Sequence, residues 1–249
     1  MTTAKVDPRL QRNYDGYYVA GAEAEWRALG AIDKADNVLR LCGPLRPRTV
    51  LEIGAGEGAL LERLTSLGFG ERWWALEISS SGLERIDSRS IPQLVECRRF
   101  DGYGIPYADD AFDLAILSHV IEHVEHPRLL LHAAARVARH VFVEVPLEHT
   151  RRLPADFEPD SVGHLNFYTA QTIRLLLQSC GLEVLAQRES HAPRAAYQHR
   201  LGRRGALHWL IKELALRVAP GPAQRRWTYH SALLARRVSR PEVASAPTV

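Results

Sequence analysis

Three acids and a cluster of histidines in this chain have the types and spacing to hold a nucleotide-like ligand and move a proton. The run VLEIGAGEG, residues 50–58, takes an apolar stretch into three glycines. Taken alone, GAGEGA (residues 54–59) fits the pattern G-x-G-x-x-[GA] that seats a dinucleotide pyrophosphate, and Glu77 lies near the distance expected of a ribose-binding acid. Glu52, two residues before the first glycine, argues for a different ligand. A carboxylate there repels a pyrophosphate on the following turn and attracts an ammonium group. Its pairing with the glycine turn suits a zwitterion that carries an amino end, a ribose and a base. The dinucleotide stays as the competing ligand.

Farther on, SHVIEHVEH (residues 118–126) sets His119, Glu122 and His123 at i, i+3 and i+4. If the chain turns helical there, all three share one face. Imidazole and carboxylate together can serve as a general base or bind a divalent cation. His149 and His164 are further base candidates, the latter in GHLNFYT (residues 163–169), just before a well-marked helix. His164 either touches substrate or braces its loop. Tyr168 is either a substrate wall or core.

The elements that must position these residues can be read from periodicity. Short apolar runs ending at Glu52, Glu77, Asp101, Ser118 and Glu144 read as buried parallel strands, each followed by helical spacing. Residues 19–42 and TAQTIRLLLQSCG (residues 169–181) read as helices, the second with Thr169 as N-cap and Gly181 past its end. LEVLAQRES and TYHSALLARRV are two late strands. Strand–helix alternation of this kind predicts an α/β, doubly wound sheet of about seven strands, mostly parallel, with helices on both faces and a late antiparallel strand at one edge. Ligands of such sheets sit beyond the carboxyl ends of the strands, where these candidate residues fall.

With 249 residues, 46% hydrophobic and 24% charged, the chain suits one soluble α/β domain. No apolar run reaches membrane-spanning length, and the N-terminal residues lack the apolar core of a signal peptide. Three scattered cysteines argue against a disulfide framework or a cysteine zinc site and for a reducing cytoplasm. The net charge of +3 is too mild to require a nucleic-acid partner, and the arginines near the C-terminus read best as a solvated face.

VLEIGAGEG, ALEIS, RRFDGYGIPYADDAFDLAILSHVIEHVEHP and VFVEVP resemble, in order, the motifs of class I S-adenosylmethionine-dependent methyltransferases, over residues 48–185. The likeness is greatest to the small-molecule branch that includes the ubiquinone-biosynthesis O-methyltransferases, and GHLNFYT resembles a segment of relatives that modify sugars and secondary metabolites. The resemblance implies a Rossmann-like fold with S-adenosyl-L-methionine as cofactor and S-adenosyl-L-homocysteine as product. It implies that Gly54, Ala55 and Gly56 lie against the methionine part and that Glu52 draws in its amino group. Glu77 would accept from the ribose hydroxyls, Ile78 would pack on the adenine face, and Asp101 would take the adenine amino group beside Gly102. Ser118 and His119 would flank the ribose and sulfonium. For Asp101 the competing role is capping of a turn, and for Ile78 a plain place in the core. Some ubiquinone-pathway relatives hold magnesium on a Glu-x-x-Glu-His stretch. Here His119 takes the first of those positions, so no metal is expected, and His119, Glu122 and His123 are the set if one binds.

Residues 1–45 are expected to form a helical lid, with Tyr14, Tyr17, Tyr18 and Trp26 facing the acceptor. Residues 46–240 would be the methyltransferase domain, with substrate insertions near 147–168 and 191–227, and 241–249 a disordered tail. The apolar stripe of GALHWLIKELALRV (residues 205–218) is expected to dock as core, with a dimer or membrane role as the alternative. Arg151, Arg152 and Arg203 either favour an acidic acceptor or are plain surface. The expected activity is methyl transfer to a small-molecule acceptor, at oxygen, with His164, His123 and His119 as catalytic candidates and Tyr18, Trp26, His149 and Tyr168 at the substrate. The alternatives are an N-methyltransferase of RNA or protein, a cofactor-binding module without catalysis, another reaction on this fold, and an NAD-dependent oxidoreductase. Nucleic acid and membrane partners are not expected, and a homodimer is left open.

Overall fold

A computed structural model describes residues 5–18, 24–148 and 163–238. The strands β1 (Thr49–Ile53), β2 (Arg72–Glu77), β3 (Leu94–Arg99), β4 (Phe112–Ser118), β5 (Ala138–Leu147), β6 (Leu182–Ser190) and β7 (Tyr229–Arg237) form one sheet in the order β3-β2-β1-β4-β5-β7-β6. Adjacent pairs are parallel except where β7 meets β5 and β6. The antiparallel strand is therefore β7, one strand in from the edge, with β6 outside it.

Side chains alternate across the central strands and separate two apolar layers. Leu51, Ile53, Ala115, Leu117, Val141 and Val143 pack on one face, beneath α5 (Pro127–Val137) and α6 (Ala170–Ser179). Val50, Leu114, Ile116 and Phe142 pack on the other, beneath α2 (Ala24–Cys42), α3 (Ala59–Ser66) and α4 (Ser80–Ser88). Helices on both faces leave the central strands buried on both sides, hence their near-continuous apolar sequences. Thr169 caps α6 as predicted: its hydroxyl accepts from the Thr172 N–H, and the Thr172 hydroxyl accepts from the Thr169 N–H.

Three elements depart from the expectation. The N-terminal region, expected to be helical, carries a helix that periodicity did not delimit, α1 (Pro8–Tyr17); Asp7 caps it by accepting the Arg9 N–H at 2.6 Å, and proline opens its first turn. The stretch after β4 does not become helical. His119 takes a left-handed conformation with φ 58°, and residues 121–123 form a turn.

The third departure lies between β6 and β7, where α7 (Arg194–Leu201), α8 (Arg203–Val218) and α9 (Pro220–Arg226) follow one another. The predicted docked stripe of α8 faces outward: Leu207, Leu210, Ile211, Leu214 and Val218 are exposed, whereas Lys212 is buried. The Lys212 ammonium donates to the Tyr197 hydroxyl at 2.6 Å and to the Thr228 carbonyl at 2.8 Å, so a polar anchor rather than the apolar stripe sets the helix's rotation.

Candidate active site

The glycine turn is held by the strand next to it. The N–H groups of Gly54 and Ala55 both donate to the Leu76 carbonyl of β2, at 2.8 and 3.0 Å. Gly54 and Gly56 take φ of 73° and 58°. A Cβ on Gly54 would fall 2.6 Å from Val120, and one on Gly56 would fall 2.8 Å from the Tyr18 hydroxyl. Only glycine fits there without displacing a neighbour.

Glu52 is the penultimate residue of β1, two before the turn begins. It is buried, and its Oε2 has no hydrogen-bond partner among the described residues. Burial pushes its pKa up to about 8, against the pull of Lys34 and with a further push from Glu77. A protonated or unpaired carboxyl aimed into a cavity is what a missing ammonium partner would leave behind.

Glu77, at the end of β2, is committed on both oxygens. Oε2 accepts the Gly56 N–H at 2.7 Å, and Oε1 accepts the Ser79 N–H and hydroxyl at 3.0 and 2.9 Å. Each carboxylate oxygen has two lone-pair sites, so Oε2 retains capacity for a ribose hydroxyl. Asp101, following β3, uses Oδ1 to cap a turn, accepting the N–H of Tyr103 at 3.0 Å and of Gly104 at 2.6 Å. The capping role weighed from the sequence is thus present at Asp101. Its carbonyl accepts the Val6 N–H at 3.0 Å, which ties the N-terminal segment across the end of β3 beside Gly102.

Two cavities open at these strand ends. A larger one of 330 Å³ is lined by Glu52, Gly54, Ala55 and Gly56, by Ser118, His119 and His230, and by Tyr18 and Trp26. A smaller apolar one of 70 Å³ lies against Glu77, Ile78, Phe100, Gly102 and Val120. Tyr14, Tyr18, Gly54, His119 and His123 line both. Ile78 thus faces the small cavity while packing against the core. Trp26 lies half exposed at the cavity wall, and Tyr18 is buried over the glycine turn.

The histidines sort into two groups. His119 is flanked by two fully buried carboxylates, with Nδ1 at 3.3 Å from Glu122 and Nε2 at 3.4 Å from Glu144. Burial and Lys34 would lower its pKa, but the two carboxylates outweigh them and raise it above the ordinary histidine value. Burial likewise works against ionisation of Glu122, yet the pairing with His119 holds it down at about 2. The turn still brings His119, Glu122 and His123 together, without the helix the spacing suggested.

His123 behaves differently. Its Nδ1 lies 3.2 Å from the Gly163 carbonyl, which can only accept, so Nδ1 carries the proton and Nε2 a lone pair. Burial lowers its pKa, with Glu122 opposing and His164 adding to the shift. His164 stacks edge-on at 4.8 Å from His123 and has its Nδ1 at 2.8 Å from Glu148. It lines neither cavity. Tyr168 also lines neither: it is buried in the core, its hydroxyl directed at the Ile121 carbonyl at 3.4 Å. His149, Arg151 and Arg152 lie outside the described residues.

Asp33, Lys34 and His230 line the large cavity and were not singled out from the sequence. Asp33 and Lys34 sit within a long helix whose pattern carries no motif. For His230, the only signal was an imidazole at the start of an otherwise apolar strand.

A doubly wound sheet with a glycine turn, a carboxyl without a described partner beside it and an acid ending the next strand forms a candidate site for a nucleotide-like ligand. The match to a family model described as "Methyltransferase domain" covers residues 25–187, more than half of the chain, and the chain belongs to that family. S-adenosylmethionine is its cofactor, and the orphaned Glu52 and the two glycine positions fit an amino-acid end seated there.

No curated protein matches the sequence significantly. Among solved structures, the chain is similar to a complex between the Haloferax volcanii Trm112 methyltransferase activator and a methyltransferase (16% identity, 93% of this chain and 100% of that one, TM-score 0.66). It is also similar to the [4+2]-cyclase SpnF (19% identity, 82% and 80% covered, TM-score 0.57). A third is geranyl diphosphate methyltransferase in complex with GPP and sinefungin (13% identity, 83% and 78% covered, TM-score 0.57). At these identities the likeness is one of fold.

Proposed function

We propose that this methyltransferase acts on an oxygen of a small molecule held in the 330 Å³ cavity, as in sugar or secondary-metabolite modification. The observation that carries the reading is His123: a buried, neutral imidazole with a free Nε2, lining the same cavities as the glycine turn. When bound, the cofactor supplies a methyl group activated as a sulfonium.

The chain's own residues then divide the work. Glu52 holds the ammonium of the methionine part, with Gly54, Ala55 and Gly56 as the backbone surface it lies on. Glu77 receives the ribose hydroxyls while bracing the turn, and Ile78 packs on the base. The Asp101–Gly102 turn borders the base edge. Ser118, whose hydroxyl is buried without a described partner, faces the reacting end. His123 takes the acceptor's proton at Nε2, and Glu122, 3.9 Å from that nitrogen, stabilises the imidazolium that results. His164 and Glu148 support His123 from behind. His119, flanked by carboxylates on both nitrogens, is not the base. Tyr18 and Trp26 form part of the cavity wall beside the acceptor. A cavity of 330 Å³ with Tyr18 and Trp26 in its lining suits a small acceptor better than a polymer.

The test is transfer of isotopically labelled methyl from S-adenosylmethionine to panels of hydroxylated small molecules, peptides and RNA. The expected product is a small-molecule methyl ether. Labelling confined to RNA or protein nitrogen would overturn the reading.

A further inference from the structure

Beside the large cavity, side chains from β5, from β7 and from the bend after β4 meet without a role in the steps above. Glu144 is fully buried, and neither of its carboxylate oxygens accepts a hydrogen bond from a described residue. Its Oε1 lies 3.4 Å from His119 Nε2 and 3.6 Å from His230 Nδ1. One donor atom from each of the three residues can be chosen so that all lie within 4.8 Å of one another.

The sheet imposes this meeting. Ser118 and Glu144 are register partners across β4 and β5, and the next residue, His119, donates its N–H to the Glu144 carbonyl at 2.9 Å. Across β5 and β7, Glu144 pairs with Ala232, which makes His230 its diagonal neighbour on the same face. The left-handed backbone of His119, uncommon for a residue with a side chain, turns the ring back toward Glu144.

We infer that His119, Glu144 and His230 bind a divalent transition-metal ion of the zinc type, with its open position facing the cavity. Around a tetrahedral ion with ligands at about 2.0–2.2 Å, neighbouring donor atoms stand about 3.3–3.6 Å apart. The two measured separations lie in that interval. Two imidazoles and one carboxylate suit zinc, cobalt, iron or manganese and disfavour magnesium, which prefers oxygen.

The surroundings complete the case. Glu122 stands 3.3 Å from His119 Nδ1; a proton fixed on Nδ1 leaves Nε2 free to ligate. Asp33 lies 3.3 Å from His230 Nδ1 and accepts the Ser190 hydroxyl at 3.0 Å, which places a second carboxylate at the ion's edge. Lys34 lines the same cavity and adds positive charge there, which weakens but does not replace an ion. In the other imidazole–carboxylate group, Glu122, His123 and His164, the carboxylate stands 3.9 Å from His123 Nε2, outside that tetrahedral interval.

An ion at this place would bind the acceptor through a hydroxyl and lower that hydroxyl's pKa. The acceptor is then a molecule whose methylated hydroxyl can take that open position. This consequence rests on the proposed O-methyl transfer, whereas binding of the ion does not.

The experiment uses full-length protein stripped with a chelator and titrated with Co²⁺, whose visible absorption reports an imidazole–carboxylate site, followed by displacement with Zn²⁺. The expected result is one ion per chain and a zinc-dependent rise in Tm. His230→Ala and Glu144→Gln are each expected to weaken binding by at least about tenfold, and His123→Ala to leave ion affinity unchanged. Absence of stoichiometric binding, or binding indifferent to His230→Ala, overturns the inference; loss of binding in His123→Ala alone assigns the ion to the other group and overturns it equally. Circular dichroism establishes that each variant is folded; should Glu144→Gln unfold, His230→Ala, at a partly exposed site, decides. S-adenosylhomocysteine binding by the stripped protein is measured separately. Its failure removes the cofactor reading and leaves the ion result standing.

Discussion

Replacing Glu52 by Gln removes the charge proposed to hold the amino end of the cofactor, and the effect has a pH signature. Burial puts the Glu52 pKa at about 8 in the ligand-free protein. At pH 7 roughly one chain in ten then carries the carboxylate, and at pH 6 about one in a hundred. A ligand ammonium selects the ionised form; on S-adenosylhomocysteine it belongs to a free amino acid, whose own carboxylate holds the proton beyond the range, about 7.7–8.0, of a chain-terminal amine. Affinity should therefore rise up to about pH 8 and peak above it. Below pH 7 it falls about tenfold per unit, or about 1.4 kcal/mol, as Glu52 takes up a proton, and above the peak it falls as the ligand loses its own. The folded-state pKa lies above the ordinary 4.5, so the folded chain binds this proton more tightly than the unfolded one. Glu52 therefore costs the ligand-free protein stability as pH rises from about 4.5 to about 8, and cofactor binding offsets that loss. Calorimetric titration with S-adenosylhomocysteine at several pH values between 6 and 8 measures the acid limb. Glu52→Gln should abolish that limb and bind about 10- to 100-fold more weakly at pH 8, the range for a charge-assisted hydrogen bond. A wild-type affinity flat over this range, or a variant that binds as tightly as wild type at pH 8, would refute the reasoning.

Other consequences follow from single contacts. His123→Gln should lower kcat by about 10²- to 10⁴-fold with little change in cofactor Kd; unchanged turnover would mean that positioning alone suffices. Gly56→Ala places a methyl 2.8 Å from the Tyr18 hydroxyl at a φ of 58°. It should lower both Tm and cofactor affinity, and Tyr18→Ala in the same chain should restore part of the loss; no change in either quantity would show that the turn tolerates a side chain. Asn166 donates to the carbonyls of Ile121 and Val124 at 3.1 and 2.7 Å, which pins the turn that carries Glu122 and His123. Asn166→Ala should cost about 1–3 kcal/mol in denaturant unfolding, and a variant as stable as wild type would mean that the turn holds without it. Phe142 is fully buried in the sheet, and Phe142→Ala should cost about 3–5 kcal/mol in the same measurement.

Much of the fold was legible because its signals are local. The apolar runs of β1, β4 and β5 are buried on both faces, and Thr169 and Gly181 mark the ends of α6 by their own chemistry. The cofactor end of the site was legible for the same reason: Glu52, the glycines and Glu77 lie on two adjacent strands joined by one helix. What escaped depends on distant pairing. His230 reaches Glu144 only because β7 enters the sheet antiparallel between β5 and β6, and no local pattern encodes that insertion. Asp33 and Lys34 face the cavity because of where α2 docks, not because of its periodicity. The rotation of α8 is set by Lys212 finding Tyr197 and Thr228, a polar preference that an apolar moment reads backwards. The turn at His119 hinges on one left-handed residue, which the i, i+3, i+4 spacing disguised as helix.

The claim that the glycine turn with Glu52 is an S-adenosylmethionine seat rather than a dinucleotide site is tested most directly by calorimetric titration of the wild-type protein at pH 8. Separate injections of S-adenosylhomocysteine and of NAD suffice. The account predicts saturable one-to-one binding of S-adenosylhomocysteine at micromolar concentration and none of NAD. Binding of NAD with no response to S-adenosylhomocysteine would contradict it.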